Sequence, residues 1–142
     1  MIVLDTSGLF AALDRNAKQH EAARRVIDEA TGPLVLSPFV LAELDYLVTT
    51  RFGWRAMVPV LRDVAAGAYE LVSCSPEEVD TARDVVERYA DMAIGLTDAF
   101  LVVLAERCRT TTLLTLDERH FRAVRSLSGD AFTLLPADAP AS

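Results

Sequence analysis

The chain begins Met1-Ile2-Val3-Leu4-Asp5-Thr6-Ser7-Gly8-Leu9-Phe10, or MIVLDTSGLF, and the change of pattern within this stretch decides the fold. The apolar run Ile2–Leu4 predicts a short buried strand. Ser7 predicts the N-cap of a helix that runs from Gly8 toward Leu13. Asp5 stands between the two, although an isolated buried carboxylate is costly unless it is paired or binds a metal ion. The opening therefore predicts a strand–helix unit whose aspartate needs a partner.

The same alternation continues to the end of the chain. Further short apolar strands are predicted at Leu34–Leu36, Tyr69–Val72, Thr111–Leu116 and Phe132–Leu135. Helices are predicted at His20–Ala30, Pro38–Val48, Arg55–Ala66, Pro76–Tyr89 and from Thr97 through Arg109. Short apolar strands that alternate with helices indicate an α/β fold, with a mostly parallel central sheet of about five strands flanked by helices.

Composition limits the class of protein. With 142 residues, of which 51% are hydrophobic, the chain predicts one folded domain. The net charge of −7 argues against a general polyphosphate-binding protein. One segment departs from this balance: residues 107–125 hold five arginines and two acids. That segment is either an ordinary solvated surface or a local contact for a polyanion beside an acidic centre.

Two further observations concern the compartment. The longest apolar run, Ala99–Ala105, is too short to span a bilayer, and no basic stretch precedes the apolar N-terminus. Cys74 and Cys108 lack metal-like spacing and are predicted to be buried free thiols rather than a disulfide. These features predict a cytoplasmic protein without a membrane segment.

Four acids stand in apolar surroundings, where the amphipathic pattern does not explain them. Asp5 and Asp117 each end a predicted strand, Glu43 lies among apolar residues of a helix, and Asp98 begins the most hydrophobic helix. Each has an ordinary alternative: a helix cap for Asp5, a favourable helix dipole for Asp98, a solvated edge for Glu43 and a turn for Asp117. In a parallel sheet, however, strand ends and helix starts meet at one edge, so the four acids would converge.

Convergent carboxylates without obvious cationic neighbours predict a site for a hard divalent cation, Mg²⁺ or Mn²⁺. His20 and His120 are too few and too far apart in the chain for a zinc site, and His120 is predicted to be a surface or partly packed residue rather than a base. The chain has no glycine-rich dinucleotide or P-loop motif and no D-x-D phosphotransferase motif after the first strand. A metal-dependent phosphatase or a receiver-like domain is therefore disfavoured.

Taken in order, four motifs resemble a PIN domain, and more narrowly the VapC-type toxins of bacterial toxin–antitoxin pairs. They are the opening strand with Asp5-Thr6-Ser7, FVLAELDYL with Glu43, GLTDAFLVVLAE with Asp98 and TLLTLDERHF with Asp117. The resemblance runs from Ile2 to Leu135. It implies a PIN domain over residues 1–136, and residues 137–142, rich in Pro and Ala, are predicted to form a frayed tail.

The resemblance implies a Mg²⁺- or Mn²⁺-dependent endoribonuclease. It implies Asp5, Glu43, Asp98 and Asp117 as the catalytic and metal-binding centre, with Thr6 or Ser7 steadying Asp5. It also implies a homodimer held inactive by a VapB-type antitoxin, with tRNA or ribosomal RNA as plausible substrates. The basic segment adds four candidate RNA contacts: Arg107, Arg109, Arg119 and Arg122.

Two expectations about partners complete the hypothesis. The predicted helices at Phe39–Val48 and Arg55–Ala66 are candidates for the two-fold interface, because a small domain this apolar should leave a patch to cover. An antitoxin is expected to lay a helix in an apolar groove and extend an Arg or Lys toward the acids. The alternative to an enzyme is a non-catalytic α/β module whose acidic pocket binds a basic partner, and RNA cleavage with metal discriminates the two.

Overall fold

The structure is a computed structural model that describes residues 1–141. Five strands lie in it: β1 (Ile2–Leu4), β2 (Leu34–Leu36), β3 (Glu70–Leu71), β4 (Thr112–Leu114) and β5 (Thr133–Leu135). Seven α-helices are found among these residues: α1 (Thr6–Leu13), α2 (His20–Glu29), α3 (Pro38–Phe52), α4 (Trp54–Ala65), α5 (Pro76–Arg88), α6 (Leu96–Arg107) and α7 (Glu118–Ala123). A short 3₁₀ turn, Ala90–Met92, precedes α6.

The strands form one sheet in the order β3-β2-β1-β4-β5, and every pair is parallel. The predicted α/β fold with a five-stranded parallel sheet is therefore confirmed. The chain builds outward from β1 to β2 and β3 on one side, then crosses to β4 and β5 on the other. In such sheets, the crevice at the carboxyl ends of the strands, where the order reverses, is the usual place for a ligand. Here that place lies between β1 and β4.

The central helix is α6. All seven residues from Ala99 to Ala105 are buried, because α6 packs on both α5 and β1. This burial explains why the segment is apolar on every side. The first turn of α6 carries Asp98, so the buried helix fixes the position of that carboxylate.

Helix α1 packs unusually close to the end of β4. A Cβ atom on Gly8 would lie 2.5 Å from the carbonyl oxygen of Leu114, which already accepts a hydrogen bond from the Asp5 amide at 2.9 Å. Glycine is therefore required at this position by the close approach of two backbones. The contact holds the start of α1 between β1 and β4.

The predicted cap of α1 was wrong. The helix begins at Thr6, and Ser7 lies inside its first turn instead of capping it. The reason is that the Ser7 hydroxyl is used elsewhere: it accepts a hydrogen bond from the Leu116 amide at 2.9 Å and donates to Asp5 Oδ2 at 2.8 Å. Elsewhere, Ser37 caps α3, and Ser75 and Glu78 form a capping box on α5.

The region after β4 also differs from the prediction. The strand ends at Leu114 rather than Leu116, and a short helix, α7, follows at once. Asp117 is the N-cap of α7, because its Oδ1 accepts the His120 amide at 3.1 Å. Asp117 is thus a helix N-cap rather than a turn residue, and it still lies at the strand-end edge.

The C-terminal segment is held at Asp138. This carboxylate pairs with Arg122, with one contact at 2.6 Å, and accepts a hydrogen bond from the Leu134 amide at 2.8 Å. The predicted frayed tail can therefore begin only after Asp138, and Ser142 lies outside the described residues. Cys74 and Cys108 are free thiols, but half-buried rather than fully buried. Within residues 1–141, every helix is too short or too polar to cross a membrane.

Candidate active site

The four predicted acids line one cleft of about 330 Å³ at the carboxyl edge of the sheet, between β1 and β4. The ends of β1 and β4 and the first turns of α1 and α6 contribute to it, together with α3. Its lining consists of Asp5, Thr6, Ser7, Glu43, Gly95, Leu96, Thr97, Asp98, Asp117 and His120. The structure therefore brings together Asp5, Glu43, Asp98 and Asp117, along with Thr6 and Ser7.

Asp5 is the deepest of the acids, with only 4% of its surface exposed. Its Oδ2 accepts hydrogen bonds from Ser7 Oγ at 2.8 Å and from Thr115 Oγ1 at 2.6 Å. Burial nevertheless raises the pKa of Asp5, because the hydroxyl donors offset the lost solvation only in part. The two hydroxyls engage Oδ2, and the Thr6 amide also stabilises the charged carboxylate, so the orientation of Asp5 is fixed from several sides.

Thr115 belongs to this site, although the sequence pattern did not single it out. Its Oγ1 donates to Asp5 Oδ2 and accepts the Asp117 amide at 2.9 Å. One hydroxyl therefore joins the acid after β1 to the acid after β4. The signal was present in TLLTLD, where a second threonine interrupts an apolar run two residues before an aspartate.

The valine variant Thr115→Val should reduce the free energy of unfolding by about 1–3 kcal/mol, because it leaves a buried carboxylate oxygen and the Asp117 amide each short of a partner. Thr115→Ser keeps the hydroxyl and is the matched control. Urea unfolding of both variants measures the effect. Equal stability of the valine and serine variants would show that the hydroxyl bridge is not needed.

Asp98 lies half-buried in the first turn of α6. Its pKa is raised from 3.8 to about 6, chiefly by burial, then by the charges of Asp5 and Asp117, while His120 opposes the rise. A carboxylate placed only to complement the helix dipole would have its charged form stabilised instead. The raised pKa of Asp98 thus reflects burial first and the neighbouring acids second, and a cation placed among these carboxylates would relieve their repulsion.

Asp117 and His120 form a pair on the other side of the cleft. His120 Nδ1 lies 2.7 Å from Asp117 Oδ2, while Asp117 Oδ1 caps the helix. Both side chains are about one-third exposed. His120 is thus partly packed, as the sequence predicts, but it also lines the cleft, which the sequence did not indicate.

Glu43 is the most solvent-exposed of the four acids. It projects from α3, lines the cleft, and its charge contributes to the raised pKa of Asp98. Phe39, one turn earlier, packs edge-on against Phe100 of α6 at 5.2 Å between ring centroids. This contact sets α3 beside α6, and so places Glu43 at the rim.

The residues present fit a hard divalent cation. Carboxylate oxygens dominate the donor set, and one ligand atom each from Asp98, Asp117 and His120 lie within 4.8 Å of one another. Thr6 Oγ1 is the one buried side-chain oxygen or nitrogen without a hydrogen-bond partner among residues 1–141, and Thr6 also lines the cleft. An ion in the cleft would be held by these carboxylates, with the imidazole beside them.

The predicted RNA-contacting arginines are dispersed. Arg107 ends α6 and binds Glu78 and the Ser73 carbonyl, so it lies about 14 Å along the helix from Asp98. Arg109 lines a separate pocket with Glu106 and Ser128. Helix α6 carries Arg107 and Arg109 to the opposite edge of the sheet from the cleft, and their contact with RNA stays a prediction.

The other two arginines follow Asp117 on α7. Arg122 is engaged by Glu118 at 3.0 Å and by Asp138. Arg119 lies in the first turn of α7, exposed and two residues from Asp117. Of the four, Arg119 is best placed to meet a phosphate that approaches the cleft, and its contact with RNA remains a prediction.

Comparison with known proteins places this geometry in context. The PIN domain family profile matches residues 2–127. Ribonuclease VapC26 of Mycobacterium tuberculosis (strain ATCC 25618 / H37Rv) is 48% identical over 135 residues, which cover 95% of this chain and 100% of that protein. The crystal structure of M. tuberculosis VapC20, described as a sarcin–ricin loop cleaving toxin, superposes with a TM-score of 0.76 at 20% identity, over 82% of this chain and 90% of that one.

Proposed function

The chain belongs to the PIN domain family, and on this premise we propose that it is a metal-dependent endoribonuclease that acts as the toxin of a toxin–antitoxin pair. The observation that carries the proposal is the convergence of Asp5, Glu43, Asp98 and Asp117 on one cleft at the strand-order reversal. Similarity over nearly the whole length of a relative named as a ribonuclease supports RNA as the substrate.

The proposed roles follow from the position of each acid. Asp5, fixed by Ser7 and Thr115, presents its carboxylate from the floor of the cleft. Asp98 and Asp117 flank it, and Glu43 closes the rim. Together they would hold Mg²⁺ or Mn²⁺, which when bound supplies an activated water and neutralises charge that develops on the phosphodiester.

The remaining residues orient the substrate and the acids. Asp117 is held by the α7 amide and by His120, so its carboxylate is preorganised before RNA arrives. Arg119 would receive a phosphate beside the cleft, where the net negative charge of the protein otherwise repels RNA. We propose a structured tRNA or ribosomal RNA as the substrate class, which places the activity in the cytoplasm.

The direct test is cleavage of structured RNA by the purified chain with Mg²⁺ or Mn²⁺, and its arrest by EDTA. A non-catalytic acidic module would bind basic peptides but leave RNA intact at every metal concentration. Persistence of cleavage in EDTA would contradict metal dependence.

A VapB-type antitoxin is the proposed inhibitor. An apolar groove of about 330 Å³ lies between α1, α3 and α4, lined by Phe10, Leu13, Val48, Phe52, Ala56 and Val60. A helix seated there would run along α1 and α3 toward the cleft and extend a Lys or Arg to Asp5, Glu43 and Asp98. Retained inhibition after all basic residues near the cleft are changed to Ala would refute this mode.

We also propose a homodimer through α3 and α4. Large apolar side chains are exposed on these helices. Tyr46 is 68% exposed and Trp54 is 62% exposed, and Leu47 and Leu61 are exposed as well. Solvent-exposed aromatic residues at this density are typical of a protein contact. Sedimentation at micromolar concentration should give the mass of two chains, and a mass of one chain would refute the dimer.

A further inference from the structure

His120 is the one nitrogen-bearing side chain placed among the acids of the cleft. A ring nitrogen of His120 lies within 4.8 Å of a carboxylate oxygen of both Asp98 and Asp117. The ring is not free to rotate, because Nδ1 lies 2.7 Å from Asp117 Oδ2 and the residue sits on the helix that Asp117 caps.

This hydrogen bond also decides the tautomer. An ionised carboxylate can only accept a hydrogen bond, so the proton of a neutral imidazole must reside on Nδ1. The lone pair then lies on Nε2, which is left available for a ligand. A carboxylate that orients a histidine in this way is the usual companion of a metal-binding imidazole.

We propose that His120 is a nitrogen ligand of the divalent cation, and that this nitrogen makes the centre prefer Mn²⁺ to Mg²⁺. The inference rests on the proposed function and adds to it the identity of the ion. Mg²⁺ favours oxygen ligands and its own water shell, whereas imidazole suits the transition metals. His120 also lines the same cleft as Asp5, Glu43 and Asp98, so its ring lies where a bound cation would meet the carboxylates.

The alternative role for His120 is purely structural. In that case the imidazole would hold Asp117 in place, and the ion would meet oxygen atoms alone. Loss of activity in a His120 variant cannot separate the two roles, because both would misplace Asp117. The distinguishing quantity is whether a histidine nitrogen is bonded to the metal.

The chain offers a clean spectroscopic test because it contains two histidines. His20 bonds through Nδ1 to the Ala11 carbonyl at 2.9 Å and does not line the cleft. His20→Gln therefore leaves His120 as the only imidazole, and serves as the parent protein. Pulsed EPR of this protein with bound Mn²⁺ should show ¹⁴N coupling, which becomes ¹⁵N coupling when the protein is grown with ¹⁵N-histidine.

The second variant is His120→Gln, in which the nitrogen coupling should vanish. Mn²⁺ affinity, measured by titration of the free-ion EPR signal, should fall about 10- to 100-fold, while Mg²⁺ affinity, measured by competition, should fall much less. Mn²⁺ that binds His20→Gln without histidine coupling would overturn the nitrogen ligand but leave the proposed nuclease intact. Failure of the wild-type chain to bind Mn²⁺ while it binds Mg²⁺ would overturn the Mn²⁺ preference alone, and failure to bind either ion would overturn both proposals.

Discussion

The substitution Asp98→Asn is expected to lower the rate of RNA cleavage by about 10²–10³-fold, the loss that accompanies removal of about 3–4 kcal/mol of transition-state stabilisation. Asparagine keeps the shape of the side chain but removes its negative charge, which the negative charges of Asp5, Asp117 and Glu43 repel. The cluster then has one charge fewer with which to hold a divalent cation.

The measurement is single-turnover cleavage of a structured RNA at saturating Mg²⁺ or Mn²⁺. Asp80→Asn is the matched control, because Asp80 lies exposed on α5 and pairs only with Arg83 on the same helix. The control should cleave at the wild-type rate. If Asp98→Asn cleaves as fast as the Asp80 variant, with contaminating nuclease excluded, the site assignment for Asp98 is wrong.

The alternation of short apolar strands with helices, which begins in the first ten residues, allows most of the fold to be predicted. Ile2–Leu4 becomes the central strand with neighbours on both sides, and this double burial is why all three residues are apolar. The contacts that Gly8 and Ser7 make with the end of β4, in contrast, cannot be predicted from the local pattern. Ser7 is a good N-cap by residue type, but a contact with Leu116, more than a hundred residues away, takes its hydroxyl.

The acids were identifiable because their burial conflicts with their charge. An acid at the end of an apolar strand, such as Asp5, or at the start of a buried helix, such as Asp98, is costly alone and so indicates a site from the amino-acid pattern by itself. Thr115 carries no such penalty, since threonine is common in strands. Its role becomes visible only when β1 and β4 are paired, which brings Asp5 within reach.

The positions of the arginines could not be predicted from the charge pattern. Net charge along residues 107–125 suggests a single basic surface, but the segment turns twice within that length. Helix α6 ends at one edge of the sheet, β4 crosses to the other, and α7 begins there. Arg107 and Arg119 are therefore on opposite edges, because one strand of a parallel sheet separates them.

The second large effect is on stability, and its sign opposes the effect on activity. In EDTA, Asp98→Asn should unfold at a higher temperature than the wild type. The rise of the Asp98 pKa from 3.8 to about 6 means that its charged form is disfavoured in the folded state. That rise corresponds to about 3 kcal/mol, which solvent at the half-exposed carboxyl reduces to ~1–2 kcal/mol, or about 2–8 °C.

The pH dependence follows from the same shift. Because the folded-state pKa lies above the unfolded one, the folded protein binds the proton more tightly, and stability from this group is fully present below its ordinary pKa of 3.8. It is lost as pH rises from there through about 6. The excess stability of Asp98→Asn over the wild type should accordingly be absent at pH 3.5, grow as the pH rises to about 6 and stay constant above pH 7.

Bound metal should reverse the order of the two melting temperatures. A cation that binds only the folded wild type adds about 2.7 kcal/mol at a hundredfold excess over its dissociation constant, whereas the asparagine variant should gain much less. Melting curves at pH 7 with EDTA and with Mn²⁺ measure both effects, and Asp80→Asn should follow the wild type in each. If Asp98→Asn melts below the wild type in EDTA yet responds fully to Mn²⁺, then Asp98 serves the start of α6 and the ion lies elsewhere. If the carboxylates are crowded and share a cation, then removal of one charge should both raise the stability in EDTA and weaken the response to metal. An acid that only complements the helix start would give neither effect.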